Sequence, residues 1–289
     1  MKIGIYFAYW EYEWKGDFHA YIDKVSSLGF DVLELSCAGL PDNTDELRSL
    51  RDHAKDKGLV LTAGYGPSKE HSLSSKDPDV VSRGKTRMAE MLRKLSILDI
   101  GIICGGLQSY WPADYSHPVD KKREWEISVD NIRYMADIAA GYGVTLCLET
   151  LNRFEAYLIN TAKECRLFVE EVGHKNVGIM LDTFHMNIEE DSFYDAIIQA
   201  GDLLRHVHLG EANRRVPGKG RLPWKEIGRA LNEISYDGSC VMEPFVLTGG
   251  TVGHEIRVWR DIEKDTSLLV LDADAKRSLE FTRFMFEKD

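Results

Sequence analysis

Four side chains in this sequence could together hold a divalent cation and move a proton: Glu149, Asp182, His208 and Glu243. Each closes a short apolar run, "VTLCLET" (144–150), "VGIMLDT" (177–183), "LRHVHLG" (204–210) and "SCVMEPF" (239–245). Taken singly, each has a plainer use. A carboxylate at a strand end usually caps a helix or meets solvent, and a lone histidine is usually a satisfied polar group. The set is different. Three carboxylates brought to one rim would repel one another strongly and drive one another toward protonation unless a cation sits between them. Oxygen-rich ligation with one imidazole suits Mn²⁺, Co²⁺ or Mg²⁺, with Zn²⁺ also compatible. Residues two places earlier share a strand face with these ends, because side chains alternate. They are Cys147, Met180 and Val241, and on the third run His206, which is expected one layer deeper.

Such convergence needs a scaffold that ends many strands at one place. Eight apolar runs occur: 2–9, 31–37, 59–65, 100–107, 144–150, 177–183, 204–210 and 239–245. They are rich in Val, Ile and Leu, as strands buried on both faces are. Between them lie helical patterns. "DFHAYIDKVSSLG" puts Phe18, Tyr21, Ile22 and Val25 on one side, with Gly29 as its stop. "TDELRSLRDHAKDKG" and "SVDNIRYMADIAAGYG" stop likewise at Gly58 and Gly143. Eight strand–helix units in 289 residues predict a (β/α)8 TIM barrel in the α/β class, one domain over residues 1–289. The longer loops, 67–77, 108–123, 211–223 and 246–255, follow strands three, four, seven and eight. All lie at the C-terminal end of the barrel, where such folds carry their sites.

Composition narrows the rest. A net charge of −11 argues against a nucleic-acid partner, which needs clustered Lys and Arg. The five cysteines, Cys37, Cys104, Cys147, Cys165 and Cys240, form no CxxC pair and read as buried thiols in a reducing cytoplasm. No signal peptide or membrane-length apolar stretch is found, so no membrane is expected. "GGTVG" (249–253) lacks the strand-to-helix context of a dinucleotide loop, and no organic cofactor is inferred. "NRRVPGKGR" (213–221) places four positive charges in one loop, where an Arg can reach the rim. Tyr6 and Trp111 fall at rim-side positions fit to wall a sugar pocket, and Glu34 is a spare carboxylate at the end of strand two, better suited to support than to chemistry.

Several long motifs resemble the ketose 3-epimerases, the D-tagatose 3-epimerase family that includes D-psicose (D-allulose) 3-epimerases. They are "LETLNRFEAYLINTA", "VGIMLDTFHMNIEEDS", "GEANRRVPGKGRLPW" and "VMEPFVLTGGTVGHEIRVWRD", and the likeness runs from "GIYFAYWEYEW" to the C-terminal helix. The resemblance implies a metal-dependent epimerisation at C3 of a free ketose, such as D-fructose/D-psicose, D-tagatose or L-ribulose, through a cis-enediolate. It implies one Mn²⁺-type ion per subunit on Glu149, Asp182, His208 and Glu243, with Glu149 and Glu243 also the acid/base pair. It assigns Glu155, His185 and Arg214 to the substrate, and Tyr6, Trp14, Trp111 and Phe245 to the apolar pocket wall. It further implies a homodimer or homotetramer, which the free cysteines would place in the cytoplasm. Three departures are expected on the pocket wall: Leu209 beside His208, Gly106 where the family has Ala, and Tyr65 where a smaller residue is common.

An aldose–ketose isomerase on the same barrel needs a similar metal set and is the nearest alternative. A DNA-repair barrel of the endonuclease-IV type would draw histidines from strands three and four, which end here in "AGYG" and "CGGL". A non-catalytic sugar-binding barrel has no use for both Glu149 and Glu243.

Overall fold

The computed structural model describes residues 1–287. Eight parallel strands close into a barrel in sequence order: β1 (Lys2–Tyr6), β2 (Val32–Ser36), β3 (Val60–Gly64), β4 (Ile102–Gly105), β5 (Thr145–Glu149), β6 (Val177–Asp182), β7 (Leu204–Leu209) and β8 (Ser239–Met242). β1 pairs with β8 from Lys2↔Ser239 to Ile5↔Met242, which closes the ring. The predicted (β/α)8 architecture is therefore the observed one.

The helices follow from local chemistry. α1 (Phe18–Leu28) starts where Asp17 accepts from the Ala20 N–H and stops where Gly29 turns left-handed at φ 90°. α2 (Thr44–Asp56) is capped by Asn43, and α3 (Pro78–Ile97) by Asp77 with Pro78 in its first turn. α4 (Lys121–Gly141) begins seven residues earlier than "SVDNIRY" suggests, because Trp125 packs edge-on against Phe168 of α5 (Ala162–Val172) at 4.8 Å. After β6 come α6 (Thr183–Glu189) and α7 (Phe193–Ala200). α8 (Trp224–Glu233) and α10 (Leu268–Phe286) complete the outer ring, and the short α9 (Gly250–Glu255) lies at the rim in the loop after β8. Among the described residues no helix is long and apolar enough to cross a membrane.

Every strand is shorter than its apolar run. The first run continues to residue 9, yet β1 ends at Tyr6 and Phe7–Trp10 form a buried 3₁₀ turn. Strand and buried turn are equally apolar, so hydropathy cannot mark the boundary. Glu243 lies one residue beyond β8 rather than inside it. Glu34 is not at the end of β2 but at its centre, fully buried and turned into the barrel.

Most of the core lies between strands and helices. The barrel interior holds a separate small cluster of Cys104, Cys147 and Met180, and all five cysteines are free and buried. β4 ends in Gly105 at φ 123°, where an added Cβ would lie 2.4 Å from the Tyr65 carbonyl oxygen. Gly105→Ala is therefore expected to cost about 1–3 kcal/mol or more in urea unfolding. A cost near zero would mean that the rim can relax around the methyl group.

Candidate active site

The rim of the barrel encloses a cavity of about 310 Å³. Its floor is built by β5 to β8. Asp182 pairs directly with His208 across β6 and β7, and a register shift at Ile179/Met180 puts them level. A residue added to one strand's register moves its later side chains along the ladder. Glu149, at the end of β5, lines the same floor, and Glu243 enters from the loop after β8.

Asp182 combines the two uses a strand-end carboxylate can have. Its Oδ1 caps α6 by accepting from the Phe184 N–H at 2.7 Å. Its Oδ2 is fully buried and has no hydrogen-bond partner, and the same is true of His208 Nδ1. One ligand atom each from Glu149, Asp182 and His208 lies within 4.8 Å of the others, as a cation site requires. Glu243 Oε1 is 3.4 Å from His208 Nδ1, and its Oε2 accepts from Arg214 Nη1 at 3.2 Å.

The electrostatics match that donor set. Burial, reinforced by Glu243 and Asp182, pushes the Glu149 carboxyl well above the usual range despite His208 and Arg214. Burial raises Asp182 in the same direction. Two orphaned buried atoms and carboxylates driven toward protonation are what a site built around a divalent cation presents without it. The oxygen-rich set with one imidazole fits Mn²⁺, Co²⁺ or Mg²⁺.

A second group stands above the floor. Asn152 donates to His185 Nδ1 from its backbone at 3.2 Å and its side chain at 2.7 Å, so the assigned tautomer carries its proton on Nε2. That nitrogen faces Asp182 at 3.7 Å and Glu149 at 3.8 Å. Asn152 and Trp111 both donate to Glu155, at 2.9 and 2.8 Å. Burial opposes charge on Glu155, yet His185 and Arg214 beside it hold the carboxyl down to about 2. Arg214 has φ 61° and lies 3.6 Å over the Phe184 ring, within 3.7 Å of Glu155 and 3.6 Å of Asp182. Tyr6, Trp14, Trp111 and Phe245 form one aromatic wall, with successive ring centroids 5.9–6.4 Å apart.

The structure brings every sequence-nominated side chain to this one cavity, with Asp182 immediately beneath its surface. Of the three departures, Tyr65 and Gly106 line it. Leu209 does not. It follows inward His208 on β7, so alternation turns it outward into the strand–helix core, where it is fully buried. Strands three and four end in Gly64 and Gly105 rather than imidazole. Sequence reasoning passed over Asn152, which sits inside "LETLNRFE", and Phe184, the face on which Arg214 rests.

Glu211 was passed over as well, and it organises the loop that carries Arg214. Fully buried, it accepts from the N–H groups of Gly218, Arg221 and Leu222 and from Trp224 Nε1. Glu211→Ala strands these donors and is expected to cost roughly 2 kcal/mol or more. Hydrogen exchange should rise over residues 211–224 before the barrel opens. Unchanged protection there would show that the loop is held by other contacts.

A family model described as "Xylose isomerase-like TIM barrel" matches residues 22–262. The chain is 55% identical to the D-psicose 3-epimerase of Enterocloster bolteae, over 99% of this chain and 96% of that one. It is 53% identical to that of Agrobacterium fabrum, over 99% of each. Among solved structures, D-psicose 3-epimerase with D-tagatose from Clostridium cellulolyticum H10 superposes with a TM-score of 0.98. It is 52% identical and covers 100% of both chains.

Proposed function

The chain belongs to the ketose 3-epimerases of the xylose-isomerase-like TIM barrels, and we propose that it interconverts free ketoses with their C3 epimers at one divalent cation held by Glu149, Asp182, His208 and Glu243. The observation that carries this reading is the pair of carboxylates facing one cavity from positions three strands apart round the ring, β5 and the end of β8.

Inversion at C3 removes a proton beside the C2 carbonyl and returns one to the opposite face. That requires a proton carrier on each side of the carbon. Glu149 and Glu243 take these places, one accepting while the other donates, with the roles exchanged in the reverse direction. A cation bound by the four donors would supply positive charge opposite the oxygens that become negative as the proton leaves, and among the ions that suit the donor set Mn²⁺ is the one the family resemblance implies. His185 offers its Nε2–H to a sugar oxygen, with its tautomer held by Asn152. Arg214 offers guanidinium donors, and Glu155, kept ionised, accepts from a hydroxyl. The aromatic wall packs against the carbon chain of the sugar and keeps water from the reacting face.

The test is a panel of ketoses with Mn²⁺, run in deuterated water, with products separated and C3 examined for deuterium. C3 epimers carrying the label are expected. An aldose product would instead establish movement of the carbonyl between C1 and C2. Residues 1–289 are proposed to act as one domain in a cytoplasmic homodimer or homotetramer.

A further inference from the structure

The metal set uses one face of His208, and the other face is engaged more tightly than any ligand contact requires. His208 Nε2 is 2.6 Å from Glu34 Oε1. The second oxygen of Glu34 accepts from Thr62 Oγ1 at 2.7 Å and lies 2.8 Å from His206 Nε2. Glu34 and His206 are fully buried, and Thr62 and His208 nearly so. This polar group, which lies beside the small interior cluster of Cys104, Cys147 and Met180, is absent from the reaction as derived above. Buried carboxylates are costly unless their partners are fixed.

We propose that Glu34 is a positioning residue for the metal site: by accepting the Nε2–H of His208 it fixes the tautomer whose bare Nδ1 points at Glu149, Asp182 and Glu243. The geometry supports it from both sides. Nδ1 has no hydrogen-bond partner and is 3.4 Å from Glu243, on the side where the other donors converge. A carboxylate on the far nitrogen of a metal-binding imidazole orients the ring and makes it a stronger donor. β2 makes the contact possible. Glu34 stands at mid-strand and faces inward, so its side chain reaches across the barrel floor to β7, three strands away round the ring. Thr62, its direct neighbour in register on β3, locks the second oxygen.

The same cluster has a rival use. Glu34, Cys104, His206 and His208 could themselves surround an ion. The spacing argues against it. Two ligands each about 2.0–2.1 Å from one ion stand roughly 3 Å or more apart. The 2.6 and 2.8 Å contacts of Glu34 are shorter, and the first of them is a hydrogen bond to His208.

This inference rests on the metal reading of the site, and the experiment separates the two. Metal-free protein and its Glu34→Gln and Thr62→Val variants are titrated with Mn²⁺ by calorimetry. The visible spectrum of the Co²⁺ form, which reports ligand geometry and not general stability, is recorded for each. The unaltered protein should bind one equivalent. Glu34→Gln should bind about 10- to 100-fold more weakly with a changed Co²⁺ spectrum. Thr62→Val, which keeps shape and loses only the donor to Glu34, should weaken binding about threefold or more, and it carries the test if Glu34→Gln does not fold. Affinity and spectrum unchanged in the variants would overturn the positioning role while leaving the metal site standing. A second equivalent that disappears with Glu34→Gln would overturn it in favour of an inner ion. No binding to the unaltered protein would overturn the metal reading and this inference with it.

Discussion

Glu243→Gln is expected to lower the rate of C3 epimerisation roughly 10³-fold or more while leaving the fold intact. Gln keeps the volume of Glu and can still accept from Arg214 Nη1, 3.2 Å away, so the loop after β8 retains its anchor. What it loses is the capacity to hold a proton and the negative charge it brings to the cation, so the variant is assayed at Mn²⁺ concentrations that saturate the site. Glu149→Gln is expected to do the same from the other side of the sugar, since the two carboxylates reach the cavity from the end of β5 and from the loop after β8. Two carriers have a signature that one carrier lacks. With one removed, the survivor can still take a proton from one epimer and return it to the same face. Each variant is therefore expected to exchange the C3 proton of only one epimer with deuterated solvent, slowly and without inversion. The preferred epimer should be opposite for the two. Near-native turnover by either variant would sink the two-carboxylate assignment.

Removing the metal should have an effect as large. Protein stripped with EDTA is expected to be inactive, with Mn²⁺ or Co²⁺ restoring it and Zn²⁺ less able to. The physical ground is visible in the protein itself. Asp182 Oδ2 and His208 Nδ1 are buried without hydrogen-bond partners, and Glu149 is pushed toward its protonated form by burial and by its acidic neighbours. A bound divalent ion satisfies all three at once. An ion held by these residues would bind the folded chain and not the unfolded one, so it should also stabilise. The gain is about 2.7 kcal/mol at a concentration 100 times the dissociation constant. The melting temperature should therefore climb with added Mn²⁺ and fall back on chelation. A stripped protein with full activity would exclude this chemistry, and an unchanged melting temperature would exclude tight binding.

These expectations draw on features with different visibility in the sequence. Glu149, Asp182 and His208 stand at strand ends that apolar runs reveal directly, and eight such runs with intervening helical patterns imply one closed ring. The families of residue at the rim were therefore legible before any coordinate. Strand limits were not. Buried strands and buried turns are equally apolar, which is why β1 stops at Tyr6 inside a longer run. Errors of a residue or two at those limits mislead about direction, because successive side chains point to opposite faces.

Leu209 and Glu34 show the consequence. Leu209 is adjacent to His208 in sequence and on the other side of the sheet in space. Glu34, taken for a strand-end carboxylate, is at mid-strand and reaches across the floor to His208, 174 residues away in the chain. Asn152 acts through a hydrogen bond to His185, 33 residues away, and Glu211 through a loop that folds back on it, and neither pairing shows in residue type or hydrophobic period. By itself the sequence determined which chemical groups meet at the rim, since residue type and hydrophobic period are local properties of the chain. Tertiary structure alone decided which way each group faces and what holds it there. Both depend on register between strands, including the shift at Ile179/Met180 that sets Asp182 level with His208, and register exists only once the ring has closed.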